Sequence, residues 1–432
     1  MVIVAGAMCS GGDKVMTESN DAVRPWWADR ELQRARLRRQ VELMTEARPE
    51  LAVATGGSDD YADMDHMYRA ETILVRDADL DRVSAFVPGE LDDSLINGLN
   101  LYRLRNDDTE TALATIEARF GVGVATPDHV VHVSPTVHSC PATEPEPVEA
   151  AGPVPAVNGD PNSDGSGVLV SVVDTGFLPD LAMSHSWLAN VTGDAEEYNP
   201  DDIGLYAGHG SFVAGLVRAM APKAEVHVEG FLTPGGTIFE SEMVKQLDEA
   251  LDRVPDVICL SAGTRSRRNL GLLGFEVFWQ NRLQYYKGTV LVAAAGNDHD
   301  RGPFWPAAFP WAVSVGALDQ HDQRAPFTNF GSWVDVYAPG MDLVNAFPTG
   351  TYNYREPPNV GRVAEFTNGL ARWSGTSFST PMVAGLIAAR MSRTAESGRQ
   401  AADALLRLAQ QKAIPRVGAV LKPSANSGPF SM

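Results

Sequence analysis

The second half of this chain alternates short apolar runs with stretches of helical spacing, and this alternation restricts the fold more than any other feature. The apolar runs predict strands that are buried on both faces of a sheet. Strands separated by helices imply βαβ units, so we predict an α/β fold with a mostly parallel, doubly wound sheet. The predicted strands cover residues 168–173, 224–231, 256–262, 289–295, 312–317 and 334–338, and the predicted helices cover 210–220, 241–253, 275–286 and 400–411.

A smaller unit precedes this sheet. Residues 66–138 read as a small α+β module, with strands near 72–75, 99–104 and 129–134 and helices near 78–86 and 109–120. The following stretch is rich in Pro, Glu, Gly and Asp and has no apolar periodicity, which is typical of a linker. The predicted domains are an N-terminal extension (1–65), the module (66–138), the linker (139–167), the sheet domain (168–415) and a C-terminal tail (416–432).

The N-terminal extension contains an arginine-rich helical pattern over residues 29–47. Its apolar positions, Leu32, Leu37, Val41 and Met44, recur at near-helical spacing. The arginines between them could dock an acidic partner, but such a run is more often a solvated helix face. We therefore predict a surface helix.

Composition excludes several classes of function. The chain has 432 residues and a formal net charge of −20, which argues against nucleic-acid and anionic-membrane partners. No apolar segment is long enough to span a membrane. The three cysteines are widely spaced and form neither a disulfide framework nor a metal-ligand pattern. The apolar start has no Lys or Arg before it, so we predict a cytoplasmic protein, with secretion as the alternative.

Four polar residues stand where predicted strands end or helices begin. Asp174 ends the first strand, His209 lies between two glycines at a helix start, and Asn297 follows a strand. Ser377 lies in a turn that leads into an apolar helix. Each has an ordinary alternative explanation, such as a helix cap for the serine. In a parallel sheet, however, functional groups gather at the carboxyl ends of the strands.

At these four segments the chain resembles the subtilisin-like serine proteases, the subtilase family, in which the triad occurs in the order Asp, His, Ser. The matching motifs are Asp174-Thr175-Gly176, Gly208-His209-Gly210, Gly296-Asn297 and Gly375-Thr376-Ser377. Further similarity lies in residues 305–307, 314–317 and 337–340. The resemblance covers about residues 168–390.

The resemblance implies a serine endopeptidase. Ser377 would be the nucleophile, His209 the general base and Asp174 the group that orients the imidazole. Asn297 and the main-chain N–H of Ser377 would bind the oxyanion. Every chemical group that this mechanism needs is present in the sequence.

The resemblance also assigns the substrate cleft. Substrate would lie extended between two edge segments and place one side chain in a pocket. Phe304 is bulky where family members often have glycine, so we predict a shallow pocket for small or medium side chains. Asp298 and Asp300 leave a basic preference as the alternative. The implied edge segments are Gly236, Thr237, Ile238 and Ser261, Ala262, Gly263, and the implied pocket is Ala294, Ala295, Gly296 and Phe304.

The module at residues 66–138 is similar to the inhibitory propeptides of the family. This implies a zymogen whose module occupies the cleft, with self-cleavage between about Thr136 and Glu146. The alternative is a binding or scaffold protein whose cleft is permanently filled by the module. The calcium loop of many family members is missing after residue 220, and no metal or other cofactor is predicted. The predicted partners are a protein or peptide substrate and the module itself.

Overall fold

The structure is a computed structural model that describes residues 29–58, 60–105, 108–133, 142–149, 157–233 and 235–423. The first part of the chain forms helix α1, whose N-terminus is capped by Asp29, followed by a sheet with two helices. The elements are α1 (Arg30–Ala47), β1 (Leu51–Ala54), β2 (His66–Arg76), α2 (Asp77–Ser84), β3 (Gly89–Ile96), β4 (Leu99–Leu104), α3 (Thr109–Phe120) and β5 (Ala125–His132).

The remaining described elements belong to the linker and the sheet domain. They are β6 (Glu146–Pro147), β7 (Leu169–Asp174), α4 (Pro179–Ser184), β8 (Thr192–Gly193), α5 (His209–Met220), β9 (Glu225–Gly230), β10 (Thr237–Phe239), α6 (Glu240–Ala250), β11 (Val257–Leu260), α7 (Leu273–Asn281), β12 (Val290–Ala294), β13 (Ala312–Leu318), β14 (Val336–Pro339), β15 (Leu343–Ala346), β16 (Gly350–Asn353), β17 (Val363–Phe366), β18 (Leu370–Trp373), α8 (Thr376–Thr394) and α9 (Gly398–Gln411).

The large sheet has seven strands in the order β14-β13-β12-β11-β7-β9-β8, and every neighbouring pair is parallel. Alternate residues of a strand point to opposite faces. Val172 and Cys259 therefore pack with the apolar residues of α5, α8 and α9, whereas Val173 and Ile258 pack with those of α6 and α7. The predicted α/β fold with a doubly wound parallel sheet is confirmed.

The module forms an antiparallel sheet in the order β5-β2-β4-β3, and β1 pairs with β2. One face is covered by α2 and α3 through a cluster that includes Ile73, Tyr102 and Ile116. Leu74 and Leu101, on the other face, share a cluster with residues of α6 and α7. The sheet does not end at the module, because β5 also pairs antiparallel with β10 of the sheet domain. Strand β10 of the sheet domain therefore extends the module sheet by one strand.

Buried polar side chains reinforce this junction. Asp128 accepts hydrogen bonds from the N–H of Ser241 at 2.9 Å and from its Oγ at 2.7 Å, at the first turn of α6. His129 and Glu240, both buried, are 3.0 Å apart between Nδ1 and Oε2. An anionic side chain is favourable at a helix N-terminus, so Asp128 stabilises the docked module.

Two further observations bear on membrane and metal binding. None of the described helices is long and apolar enough to cross a membrane. In the described parts of the chain, no group of three or more His, Cys, Asp or Glu side chains is arranged to hold a metal ion. Independence from metal ions stays a prediction.

Candidate active site

The predicted base, His209, and the carboxylate predicted to orient it, Asp174, are neighbours. Asp174 is the last residue of β7 and His209 is the first residue of α5. Nδ1 of His209 lies 2.7 Å from Oδ1 of Asp174, which also accepts the N–H of Thr175 at 2.8 Å. Both side chains are fully buried. Because Asp174 holds Nδ1, Nε2 is the nitrogen that can take up a proton, and it makes no hydrogen bond to any described residue.

Ser377 is the second residue of α8, and Ser261 lies against it. Pro381 has no N–H to donate to the carbonyl of Ser377 four residues earlier. Ser261 Oγ donates to that carbonyl instead, at 2.9 Å. In return, Ser377 Oγ lies 3.3 Å from the carbonyl oxygen of Ser261, to which it donates. The proline within α8 therefore explains why the turn of the predicted nucleophile is tied to the predicted substrate segment 261–263.

Asn297 is fixed by the same helix start. Its Oδ1 accepts the N–H of Thr376 at 2.9 Å, and Thr376 Oγ1 accepts the N–H of Gly296 at 3.2 Å. With Oδ1 used as an acceptor, Nδ2 is the end of the amide that donates. The N–H of Ser377 belongs to the first turn of α8, where main-chain donors point out of the helix end. These two donors have the chemistry of an oxyanion hole.

The two predicted edge segments are brought together by the module. His132 donates its N–H to the carbonyl of Gly263 at 3.1 Å and accepts the N–H of Gly263 at 3.0 Å. Val133 donates its N–H to the carbonyl of Gly236 at 2.9 Å. Thr237 and Ile238 are paired with His132 and Val131 in the antiparallel ladder. The end of β5 therefore lies between segments 236–238 and 261–263, where an extended substrate was predicted.

The side chain of Phe304, one of the predicted wall residues, fills the predicted pocket. Ala294, Ala295 and Phe304 are buried, and the phenyl ring lies so close to Gly263 and Gly296 that a Cβ at either glycine would crowd it. Gly296 has a φ of +91°, which adds a backbone reason for glycine at that position. The ring leaves little depth between the two segments.

The carboxylates near this pocket already have a cationic partner. Arg265 lies 3.6 Å from Asp298 and 3.1 Å from Asp300, measured between side-chain N and O atoms. Asp298 also accepts a hydrogen bond from the side chain of Asn329 at 3.4 Å. The arginine offsets the negative charge that would attract a basic substrate side chain.

A sequence model of the subtilase family (peptidase S8) matches residues 165–421, which is more than half of the chain. The chain belongs to the subtilase family. Among the curated relatives of this subtilase, a thermophilic serine proteinase of Bacillus sp. (strain AK1) is 32% identical over 240 residues, covering 52% of each chain. Thermitase of Thermoactinomyces vulgaris is 32% identical over 259 residues, covering 56% of this chain and 81% of thermitase.

The subtilase thus spans about half the length of the first of these relatives. Among solved structures, the crystal structure of fervidolysin from Fervidobacterium pennivorans, described as a keratinolytic enzyme related to subtilisin, matches 82% of this chain and 60% of its own. The TM-score is 0.54 and the sequence identity is 17%, so this likeness shows the fold alone.

Sequence reasoning missed one carboxylate of the site. Glu196 accepts the N–H of Gly208, the residue before His209, at 3.0 Å. Desolvation, followed by the neighbouring Asp174 carboxylate, raises the pKa of Glu196 to about 8. At neutral pH Glu196 is therefore protonated and adds no second charge beside Asp174. Nothing in its sequence surroundings, Ala195-Glu196-Glu197, pointed to this position.

Proposed function

We propose that this subtilase is a serine endopeptidase that is made as a latent zymogen. The observation that carries the proposal is the 2.7 Å contact between His209 and Asp174, at a helix start next to the turn that holds Ser377. A buried carboxylate on Nδ1 holds the imidazole in one tautomer and stabilises the imidazolium that forms when Nε2 takes a proton.

The reaction follows from these groups. Nε2 of His209 takes the proton of Ser377 Oγ as this oxygen attacks the substrate carbonyl carbon. The N–H of Ser377 and Nδ2 of Asn297 bind the oxyanion that forms. His209 then gives its proton to the leaving amine, and the peptide bond breaks. Water repeats the sequence on the acyl-enzyme, releases the acid and restores the serine.

Latency is supported by the position of β5. The hydrogen bonds that His132 and Val133 make to Gly263 and Gly236 are those that an extended substrate would make to the same carbonyls and N–H groups. While β5 is in place, a substrate strand cannot enter. The module therefore acts as an intramolecular competitor for the cleft.

Helix α1 supports the same proposal, because it covers the strand that fills the cleft. Leu37, Val41 and Met44 share a buried cluster with Val130 of β5 and Phe239 of β10. Nearer its N-terminus, Leu32 packs on a second cluster, formed by Ala142, Ala317, Ala325 and Phe327. The predicted surface helix is thus a strap that touches the module, the linker and the sheet domain.

A buried ion pair holds this strap. Arg36 pairs with Glu356, and both side chains are almost fully buried. Gln40 donates to the other oxygen of Glu356 at 2.8 Å. Glu144 of the linker lies beside them, and desolvation, followed by the charge of Glu356, raises the pKa of Glu144 to about 8. Protonation of this carboxyl pair lowers the negative charge that faces Arg36.

The predicted cleavage window, about Thr136 to Glu146, falls partly outside the described residues, which resume at Ala142. From there the chain is held firmly: Ala142 is buried, and Glu144 accepts hydrogen bonds from Tyr352 and from the N–H of Arg355. Strand β6 pairs with β18. A protease needs its substrate extended and accessible. We therefore place the cut before Ala142, so that residues from Ala142 onward stay with the enzyme.

The test compares intact masses of the wild-type chain and the Ser377→Ala chain after expression. Ser392→Ala, on the same helix, is the matched control. The proposal expects a shortened wild type, a shortened control and a full-length Ser377→Ala chain. A fluorophosphonate probe should label only the shortened forms, since it needs an accessible, activated serine. An uncut wild type that still hydrolyses peptides would contradict latency. A wild type that neither cleaves itself nor hydrolyses peptides would contradict the protease function and favour the binding-protein alternative.

A further inference from the structure

The imidazole of His209 makes a single described hydrogen bond, the one to Asp174. One contact at Nδ1 leaves an imidazole able to swing about the line between the two partners. General-base catalysis needs Nε2 at hydrogen-bond distance from the nucleophile, and an error of 1 Å costs about 10² in rate. Something else must therefore fix the plane of the ring.

Two aromatic rings flank the imidazole. The indole of Trp373 stands edge-to-face with it, with ring centroids 5.4 Å apart and planes at 86°. The phenyl ring of Phe378 lies 5.3 Å away at 43°. Trp373 is the last residue of β18, and Phe378 directly follows Ser377. The base is thus packed between side chains from both sides of the nucleophile turn.

The flanking rings also contact each other and a third ring. Trp373 and Phe378 are 5.3 Å apart between centroids, and both contact Phe212, at 5.7 Å and 4.6 Å. Phe212 lies on α5 one turn after His209, and all three rings are almost fully buried. Such contacts are geometrically selective, because aromatic pairs favour edge-to-face and offset arrangements.

The indole cannot turn freely within this group. Trp373 Nε1 donates to the carbonyl of Thr143 at 2.6 Å, and Phe347 packs edge-to-face on the indole at 5.7 Å. Turning the indole away would leave a buried N–H without a partner, which is unfavourable. Thr143 precedes the part of the chain that matches the family model. A carbonyl of the linker therefore sets the orientation of the ring that faces the catalytic base.

We propose that Trp373 is a positioning residue for His209: its indole, oriented by Thr143, fixes the imidazole plane so that Nε2 can accept the proton of Ser377 Oγ. The proposal rests on the function proposed above. It also agrees with a cut before Ala142, since Thr143 then remains in the processed enzyme.

The first test needs no activity. In full-length Ser377→Ala chains with ¹⁵N-labelled histidine, the Nδ1 proton held by Asp174 gives a strongly downfield NMR resonance. Adding Trp373→Leu, which removes the ring and keeps an apolar side chain, should broaden that resonance or speed its exchange with water. The control is Phe366→Leu, a buried ring that contacts Phe347 and Tyr352 and should leave the resonance sharp.

The second test measures the rate of self-cleavage by intact mass in chains that keep Ser377. Trp373→Leu should slow it by about tenfold or more, whereas Phe366→Leu should leave it near the wild-type rate. If both variants show the wild-type resonance, or slow cleavage equally, Trp373 only fills space and the inference is wrong. If the wild type never cleaves but the resonance responds to Trp373→Leu alone, the proposed function fails and the positioning role stands.

Discussion

His132 and Gly263 donate their main-chain N–H groups to each other's carbonyls, at 3.1 Å and 3.0 Å. This reciprocal pair sets the register of β5 in the cleft. One residue further on, Val133 reaches the carbonyl of Gly236 on the opposite edge. A one-residue slip would turn every side chain of the strand to the other face. The pair therefore decides which module side chains occupy the predicted substrate positions.

Asn297→Ala should lower kcat by about 10²–10³, the cost of removing one such donor in subtilisin, with a smaller change in KM. The reason is that Nδ2 would bind the oxyanion only as charge develops on it. Steady-state kinetics on a peptide substrate provide the measurement. A loss confined to KM would mean that Asn297 binds substrate and not the transition state.

The pocket should select small or medium side chains, because Phe304 fills the space between Gly263 and Gly296. Profiling with a random peptide library should show this in the wild type. Phe304→Ala should open the pocket and shift the ratio of kcat/KM values toward peptides with Phe or Tyr before the cleaved bond. Strong selection for Phe or Tyr by the wild type would contradict the prediction.

The alternative, a preference for basic substrate side chains, is tested with a separate variant. Arg265→Gln should expose the charges of Asp298 and Asp300 and raise kcat/KM for peptides with Lys or Arg at the same position. For peptides with Ala at that position, kcat/KM of Arg265→Gln should stay near the wild-type value. If the wild type already prefers Lys or Arg, Arg265 does not offset the two carboxylates.

Arg36→Met should loosen the strap. Breaking a buried ion pair on one side leaves an unpaired buried charge, which costs about 3–5 kcal/mol. Arg39→Met is the matched control, since Arg39 pairs with Glu42 and Glu46 on the exposed side of the same helix, where such pairs contribute about 0–1 kcal/mol. The measurement is urea unfolding of Ser377→Ala chains, together with hydrogen exchange over residues 30–47.

The double variant Arg36→Met, Glu356→Met makes this test sharper. Replacing both partners of a buried pair by apolar side chains restores much of the stability that one replacement removes. Recovery of exchange protection in the double variant would assign the effect to the ion pair. Equal losses in Arg36→Met and Arg39→Met would show that the buried pair does not hold the helix.

The sequence predicted the parallel sheet well, because its strands are buried on both faces and read as unbroken apolar runs. Strand β3 escaped prediction for the opposite reason. It forms the edge of the module sheet, half of its residues are polar (Glu90, Asp92, Asp93 and Ser94), and Ile96 is its one buried residue. No apolar alternation marks such a strand.

The positions of the four candidate catalytic residues followed from motif order and strand ends, which are local features. The strap and the ring cluster are not local. Arg36 meets Glu356, and Trp373 meets Thr143, only because distant segments are folded together. In the sequence, a run of arginines looks the same whether one of them is buried or all are solvated. The prediction of a solvated surface helix was therefore wrong at Arg36, which is buried.

Acid should weaken the docking of β5 in the cleft, and His132 is one cause. Its ring lies 6.4 Å from that of Phe304, it is buried, and neither ring nitrogen has a hydrogen-bond partner among the described residues. Desolvation, followed by the nearby charge of Arg265, lowers the pKa of His132 from 6.5 to about 3. The docked strand therefore holds a neutral imidazole, whereas a displaced strand would take up a proton below pH 6.5.

The direction of the pH effect follows from the difference between the pKa values of His132 in the docked and the displaced strand. Because the docked pKa is lowered, the docked state has its full stability above pH 6.5 and loses it as the pH falls toward 3. Between pH 7.5 and pH 5 the loss attributable to His132 is about 2 kcal/mol. Hydrogen exchange over residues 125–133 in Ser377→Ala chains, corrected for the intrinsic exchange rate, measures this loss of docking stability. His132→Phe should remove the part of the pH dependence that His132 contributes, whereas His129, a buried residue of the same strand whose pKa desolvation lowers well below 6.5, keeps its own part. His321→Phe, at an exposed position, should leave the pH dependence unchanged. Equal protection at both pH values in the wild-type strand would show that protonation of His132 does not oppose docking.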